Sequence, residues 1–218
     1  MNTNNSKVET FFNSYAIDFD SIYGDGQKRS GLTKIADKLF RQSMFNRYKL
    51  TIEFILSKTE ITTCIDVGTG PGRYCIDISN KNIETLGVDV SSEMIKLANS
   101  KIPDKIKHLV KFECADYMDF IPSKKYDVSI LMGFFDYIKQ PEIVINKLMK
   151  DTDKFILASF PKIYEPLSIQ RYIRYTLNKC PLYLYSKNDL VKILKKCGIN
   201  KYKIINNHRE FFLIADVK

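Results

Sequence analysis

The sequence predicts an α/β protein built on a mostly parallel sheet with helices on both faces. Three observations carry that prediction. From about residue 61 onward, strand-type apolar runs alternate with helix-type runs, the pattern that winds a parallel sheet. One run, Tyr126 to Met132, is apolar almost throughout, as a strand covered on both faces must be. A glycine-rich turn, Asp66-Val-Gly68-Thr-Gly70-Pro-Gly72, joins the first strand run to the helix behind it.

The elements follow in order. Val8 to about Ser57 reads as helical, with Leu32, Ile35, Ala36, Leu39 and Phe40 at three- and four-residue spacing and breaks at Gly24, Gly26 and Gly31. Ile61 to Val67 is the first strand, and Pro71 to Ser79 opens a helix. Thr85 to Val90 is the second strand. Ser91 or Ser92 caps a helix running to about Ser100, with Glu93 in its first turn. Val110 to Cys114 and Tyr126 to Met132 are strands three and four. Pro141 to Lys150 is a helix, and Phe155 to Phe160 is strand five. Lys187 to Cys197 is a helix closed by Gly198. Tyr202 to Ile205 and Phe211 to Val217 end the chain as strands six and seven. The five residues between them are too few for a parallel crossover, so the last strand must run antiparallel to its neighbour. Pro161 to Tyr185 is unusually long for a link between a strand and a helix. It is rich in Tyr, carries Arg171 and Arg174, and reads as a lid-like insertion.

At 218 residues, the chain is expected to be one domain: a helical cap over 1–58 that belongs to a core over 59–218. No run reaches the roughly 18 apolar residues a membrane span needs. The polar stretch 1–7 has no apolar signal region, so a cytoplasmic protein is expected. The five cysteines (64, 75, 114, 180, 197) form no C-x-x-C pair and read as small hydrophobes rather than a disulfide framework. The net charge of +9 rests on 27 Lys and only seven Arg, spread along the chain. That is the signature of a solvated basic surface rather than a nucleic-acid face, and it also suits an anionic substrate. His108 and His208 have no partner at metal-ligand spacing, and no metal is expected.

The glycine turn carries the chemistry. Glycines let the backbone turn tightly and approach a ligand closely, and the helix start behind them offers free N–H groups to an anionic group. A bare glycine pattern also fits a dinucleotide site. Two acids tilt the reading. Asp66 stands two residues before the first glycine, where it can meet an ammonium or bridge to the loop. Asp89 ends the second strand, where a carboxylate can accept from both ribose hydroxyls of an adenosine.

Over Thr62 to Lys218 the chain resembles the class I methyltransferases. Asp66 to Gly72 is similar to their glycine-loop motif and Asp89 to their ribose acid. Ala115-Asp116-Tyr117 is similar to the segment whose acid meets the adenine amino group, and Leu131-Met132-Gly133 to the strand end beside the methionine part of the cofactor. The resemblance implies a doubly wound seven-stranded sheet in order 3-2-1-4-5-7-6, with the last strand antiparallel. It implies S-adenosyl-L-methionine as cofactor, held by Asp66, Gly68, Thr69, Gly70, Gly72, Arg73, Asp89, Val90, Met94, Asp116, Tyr117, Met132, Gly133 and Tyr15. Phe11-Phe12, Tyr15, Phe19-Asp20 and Tyr23 look like the cap that small-molecule methyltransferases fold over the cofactor. Cap and insertion are loosely similar to those of porphyrin carboxylate O-methyltransferases.

The implied reaction is transfer of a methyl group to a small-molecule acceptor, with O-methylation expected, by direct displacement under the cap. Asp136 and Tyr137, just after strand four, are the candidates for proton removal. Tyr23, Arg47, Arg171 and Arg174 are the candidates for holding an acceptor, the arginines by pairing with an anionic group. The alternatives are a nucleic-acid (RNA) methyltransferase and an NAD-dependent oxidoreductase. The first lacks an Asn-Pro-Pro-Tyr-like motif, and the second gives Asp66 and Asp116 no work. A protein that keeps the cofactor fold without transfer is the non-enzyme reading.

Overall fold

A computed structural model describes residues 8–13, 32–163 and 181–218, the side chains of 32–41 excepted. Helix α1 spans 8–13 and α2 spans Leu32–Leu56. Strands β1 (Thr63–Val67), β2 (Glu84–Asp89), β3 (Val110–Cys114) and β4 (Tyr126–Leu131) follow, then β5 (Thr152–Pro161), β6 (Tyr202–Asn207) and β7 (Glu210–Asp216). Helices α3 (Arg73–Ser79), α4 (Ser92–Ser100), α5 (Pro141–Asp151) and α6 (Lys187–Lys196) lie between them. The strands form one sheet in order β3-β2-β1-β4-β5-β7-β6. β1 to β5 pair in parallel, and β7 runs antiparallel to both β5 and β6. The expected fold and strand order hold.

The central strands are buried as a doubly covered sheet requires. Ile65, Val67, Val128, Ile130, Leu131 and Leu157 are all fully enclosed. Burial at roughly 25 cal/mol per Å² of apolar surface makes these strands the main source of stability. The apolar faces of α5 and α6 pack on one side of the sheet through Val144, Ile145, Leu148, Leu190 and Leu194. Tyr74 and Ile78 of α3 and Ile55 of α2 pack on the other. The N-terminus of α6 is fixed by a capping box. Ser186 Oγ accepts from the Asp189 amide at 3.1 Å, and Asp189 Oδ2 accepts from the Ser186 amide at 2.8 Å.

Several boundaries depart from the sequence reading. β5 begins at Thr152, directly off α5 with no intervening loop, because Thr152 pairs with Tyr126 at the amino ends of the two strands. The link between β6 and β7 shrinks to His208-Arg209, with His208 at φ +44° supplying the tight turn. Short 3₁₀ turns form over Asp104–Ile106 and Phe135–Tyr137, where the sequence carries no helical period. Cys64, Cys75 and Cys197 are buried as expected, but Cys114 is exposed, because it ends the edge strand β3. Cys180 and the breaks at Gly24, Gly26 and Gly31 lie outside the described residues. Both ends of the 161–185 insertion are pinned: the Tyr185 amide donates to Pro161 O at 2.8 Å, and the Ile163 amide donates to Tyr185 O at 3.1 Å.

Candidate functional site

The carboxyl ends of β1, β2, β3 and β4 open on one cavity of about 440 Å³. Its first wall is the glycine turn after β1. Gly68, Gly70 and Gly72 have φ of +73°, +53° and +77°, a left-handed run that side chains resist. The Gly68 amide donates to Val88 O at 2.8 Å, tying the turn to β2. A Cβ on Gly70 would meet nothing within 4 Å, so the turn presents bare backbone to open space. Gly72 does not line the cavity. It stands behind it, where a Cβ would come within 2.4 Å of the Phe112 ring and 2.9 Å of Ala98. Its work is to let α3 and α4 close on β3.

The two acids sit on either side of this turn. Asp89 Oδ2 accepts from the Gly70 amide at 2.8 Å, and Oδ1 from the Ser91 amide at 2.9 Å. Each oxygen retains a lone pair for a further donor. Asp66 is buried and accepts from Thr69 Oγ1 at 2.8 Å. Burial pushes its carboxyl up to about 7, the nearby Asp89 adds to the rise, and the Thr69 hydrogen bond opposes it. Burial also raises Asp89. A buried acid and a half-buried one, both with raised values, beside a bare backbone turn fit a ligand with hydroxyl and cationic groups.

The remaining expected residues converge on the same cavity. Val90, Met94, Asp116, Tyr117, Met132 and Gly133 all line it. Asp116 Oδ1 accepts from the Met118 amide at 3.0 Å, which fixes its carboxylate at the end of β3. The Tyr117 hydroxyl is committed to Asp151 at 2.8 Å, so only its ring serves the cavity. Arg73 lines it too, half-exposed, with its guanidinium 4.5 Å over the Tyr48 ring.

Asp136 and Tyr137 reach the cavity on the 3₁₀ turn after β4. An aromatic column holds that turn: Phe135 stacks on Phe160 at 4.2 Å, and Phe160 meets Tyr185 edge-on at 5.2 Å. Such pairs add about 0.5–1.5 kcal/mol each beyond their burial. The Tyr185 hydroxyl donates to the carbonyls of Phe135 and Ile138 at 3.3 and 3.0 Å. Asp136 itself is buried. α1 packs onto the cavity wall. Phe12 packs edge-on against Tyr137 at 5.4 Å, and Asn13 Oδ1 accepts from Ser91 Oγ at 2.6 Å.

Arg47 lines the cavity but is not available as the sequence suggested. It is buried and ion-paired with Glu210 at 3.0 Å, so its charge is already answered. Glu210, Arg209, Met44 and Ser43 also line the cavity. Sequence reasoning missed them, since they come from the β6–β7 turn, the head of β7 and α2, with no local pattern to mark them. Tyr15, Tyr23, Arg171 and Arg174 lie outside the described residues. Among the described residues no helix is long and apolar enough to cross a membrane.

The family model described as "Methyltransferase domain" matches residues 58–198. The chain is 26% identical over 103 residues to the magnesium-protoporphyrin O-methyltransferase of Rhodobacter capsulatus, covering 45% of this chain and 45% of that protein. It is 28% identical over 145 residues to an uncharacterized protein of Methanocaldococcus jannaschii, covering 62% of this chain and 39% of that one. These matches thus span under half the length of either relative. Among solved structures, magnesium protoporphyrin IX methyltransferase from Synechocystis with bound SAH superposes with a TM-score of 0.77 at 21% identity, covering 98% of this chain and 99% of that one. A SAM-dependent methyltransferase of Thermotoga maritima, possibly a histamine N-methyltransferase, gives a TM-score of 0.68 at 12% identity, covering 96% and 99%.

Proposed function

The chain belongs to the methyltransferase-domain family, and we propose that it moves a methyl group from S-adenosylmethionine to an oxygen of a small anionic acceptor held beneath α1 and α2. The observation that carries this reading is one cavity at the carboxyl end of the sheet, whose walls divide by chemistry. One wall is bare glycine backbone with Asp66, Asp89 and Asp116. The other is Met44, Arg47, Asp136, Tyr137, Lys139 and Arg209.

The donor fits the first wall. Asp89 has lone pairs left for the ribose hydroxyls, and Asp116, which lines the same wall, is assigned the adenine amino group. Asp66, raised by burial without a bound cation, gains by meeting the positive end of an amino acid group. S-adenosylmethionine supplies a methyl group on a positively charged sulfur, and transfer needs the acceptor atom in line behind that carbon. The chain's part is alignment and drying. Phe12, Tyr137 and Met44 keep water out on the acceptor side. Asp136 takes the proton where the acceptor is a hydroxyl. Arg209 and Lys139 bring positive charge to the rim and suit an acid group on the acceptor, and Arg171 and Arg174 are proposed to join them. The curated relative acting on a porphyrin as an O-methyltransferase supports an oxygen acceptor.

Release of S-adenosylhomocysteine, followed over a panel of porphyrin carboxylates, hydroxylated aromatic acids, amines and RNA, tests the reading. Turnover is expected on at least one acidic oxygen acceptor. Turnover on RNA or on amines alone would overturn it.

A further inference from the structure

A buried ion pair in the cavity wall has no work in the reaction as described. Arg47 on α2 and Glu210 at the head of β7 are 8% and 9% exposed. Arg47 Nη1 donates to Glu210 Oε2 at 3.0 Å and to Ser159 Oγ at 3.3 Å. Ser159 Oγ also accepts from the Gly133 amide at 2.8 Å. The guanidinium lies directly against Gly133, where an added Cβ would meet Nη1 at 3.6 Å and Nη2 at 3.9 Å. Glu210 is held from behind, since Asn207 Nδ2 donates to Oε1 at 3.0 Å and to the Ser43 carbonyl at 3.0 Å. A fixed positive charge therefore backs the turn after β4, and a fixed negative charge backs that.

Buried pairs seldom stabilise a fold better than apolar packing would. An ion pair buried in a ligand cavity can act on the ligand instead. The donor of the proposed reaction is a sulfonium cation before transfer and a neutral thioether after it. Arg47 and Ser159 set the Gly133 turn in place, but an unanswered guanidinium there would repel the sulfonium through a wall of low dielectric. Resting on the methyl-transfer reading above, we infer that Glu210 is a positioning residue that neutralises Arg47, so that the Gly133 wall is held by an arginine yet accepts a positively charged donor.

The pair thereby sets how the protein ranks S-adenosylmethionine against S-adenosylhomocysteine. Both ligands share the charged amino acid end, so removing Glu210's charge penalises the sulfonium ligand more than the thioether. Damage to packing penalises both alike. Removing Arg47's charge must act in the opposite sense, and removing both must cancel.

Calorimetric titration of the full chain with the two ligands tests this in wild type, Glu210→Gln, Arg47→Met and the double variant. The readout is the ratio of the two dissociation constants, S-adenosylmethionine over S-adenosylhomocysteine. Glu210→Gln is expected to raise the ratio about tenfold. Arg47→Met is expected to lower it, and the double variant to return within about twofold of wild type. A ratio unchanged in Glu210→Gln, or equal weakening of both ligands, overturns the inference and leaves the pair structural. If Glu210→Gln does not fold, Arg47→Met decides alone, and an unchanged or raised ratio overturns it. Wild-type protein that binds neither ligand overturns the methyl-transfer reading itself, a result distinct from an unchanged ratio.

Discussion

Asp89 braces the glycine turn and the start of α4 at once, because its two oxygens accept from the Gly70 and Ser91 amides. Asp89→Ala should weaken binding of both S-adenosylmethionine and S-adenosylhomocysteine at least tenfold, the cost of losing hydrogen bonds to a charged group at roughly 1.5–3 kcal/mol each. Circular dichroism should show the fold intact, and calorimetry showing unchanged affinity would sink the ribose assignment. Asp66 makes a pH signature. Its folded value of about 7 lies above the unfolded value of roughly 3.9, so the native state binds this proton more tightly. The contribution to stability is full below about pH 4 and is lost as pH rises through about 7. Asp66→Asn should flatten the ligand-free stability profile across that window in denaturant titrations. A slope as steep as wild type would contradict the buried-acid account. The sequence marked both acids through their place at strand ends. It could not mark Glu210, whose partner Arg47 lies 163 positions away.

Gly70 and Gly72 look alike in the sequence and differ in the fold. Both need a left-handed backbone, but only Gly72 sits under Phe112 and Ala98. Gly70→Ala should cost about 1–2 kcal/mol of backbone strain. Gly72→Ala should cost well beyond that, since α3, α4 and β3 must part to admit the methyl. Urea denaturation separates the two, and equal losses would contradict the packing role given to Gly72. α1 offers a second test. It touches the site through Phe12 on Tyr137 and Asn13 on Ser91, and among the described residues the buried apolar side chains run from Met44 onward. Deleting residues 1–30 should lower turnover far more than melting temperature, and full activity in the truncated chain would end the role of this cap. At this scale the sequence was a good guide wherever an element obeyed one period. β3 runs Val110–Cys114 as read, and α5 starts at Pro141 as read. It failed where tertiary contacts decide. β5 extends back to Thr152 by pairing with Tyr126, and the Phe135–Tyr137 turn forms because Phe160 and Tyr185 hold it.

The whole molecule explains why fold and donor were legible while the acceptor was not. The strand order follows from alternation and from one short final link, both local features of the chain. The donor wall is built from consecutive segments at the ends of β1, β2 and β3, so its acids fall at readable spacings. The wall proposed for the acceptor is assembled from α1, α2, the turn after β4 and the β6–β7 turn, four segments far apart in sequence. No spacing rule joins Met44, Asp136 and Arg209, so that wall emerges only in three dimensions, and one core accommodates many acceptors. The central claim is that the glycine-lined cavity holds S-adenosylmethionine, and calorimetric titration of the wild-type protein tests it most directly. Micromolar binding of both S-adenosylmethionine and S-adenosylhomocysteine, with no fluorescence change on adding reduced nicotinamide cofactor, is the predicted result. A folded sample that binds neither ligand, or that binds the nicotinamide instead, would contradict it.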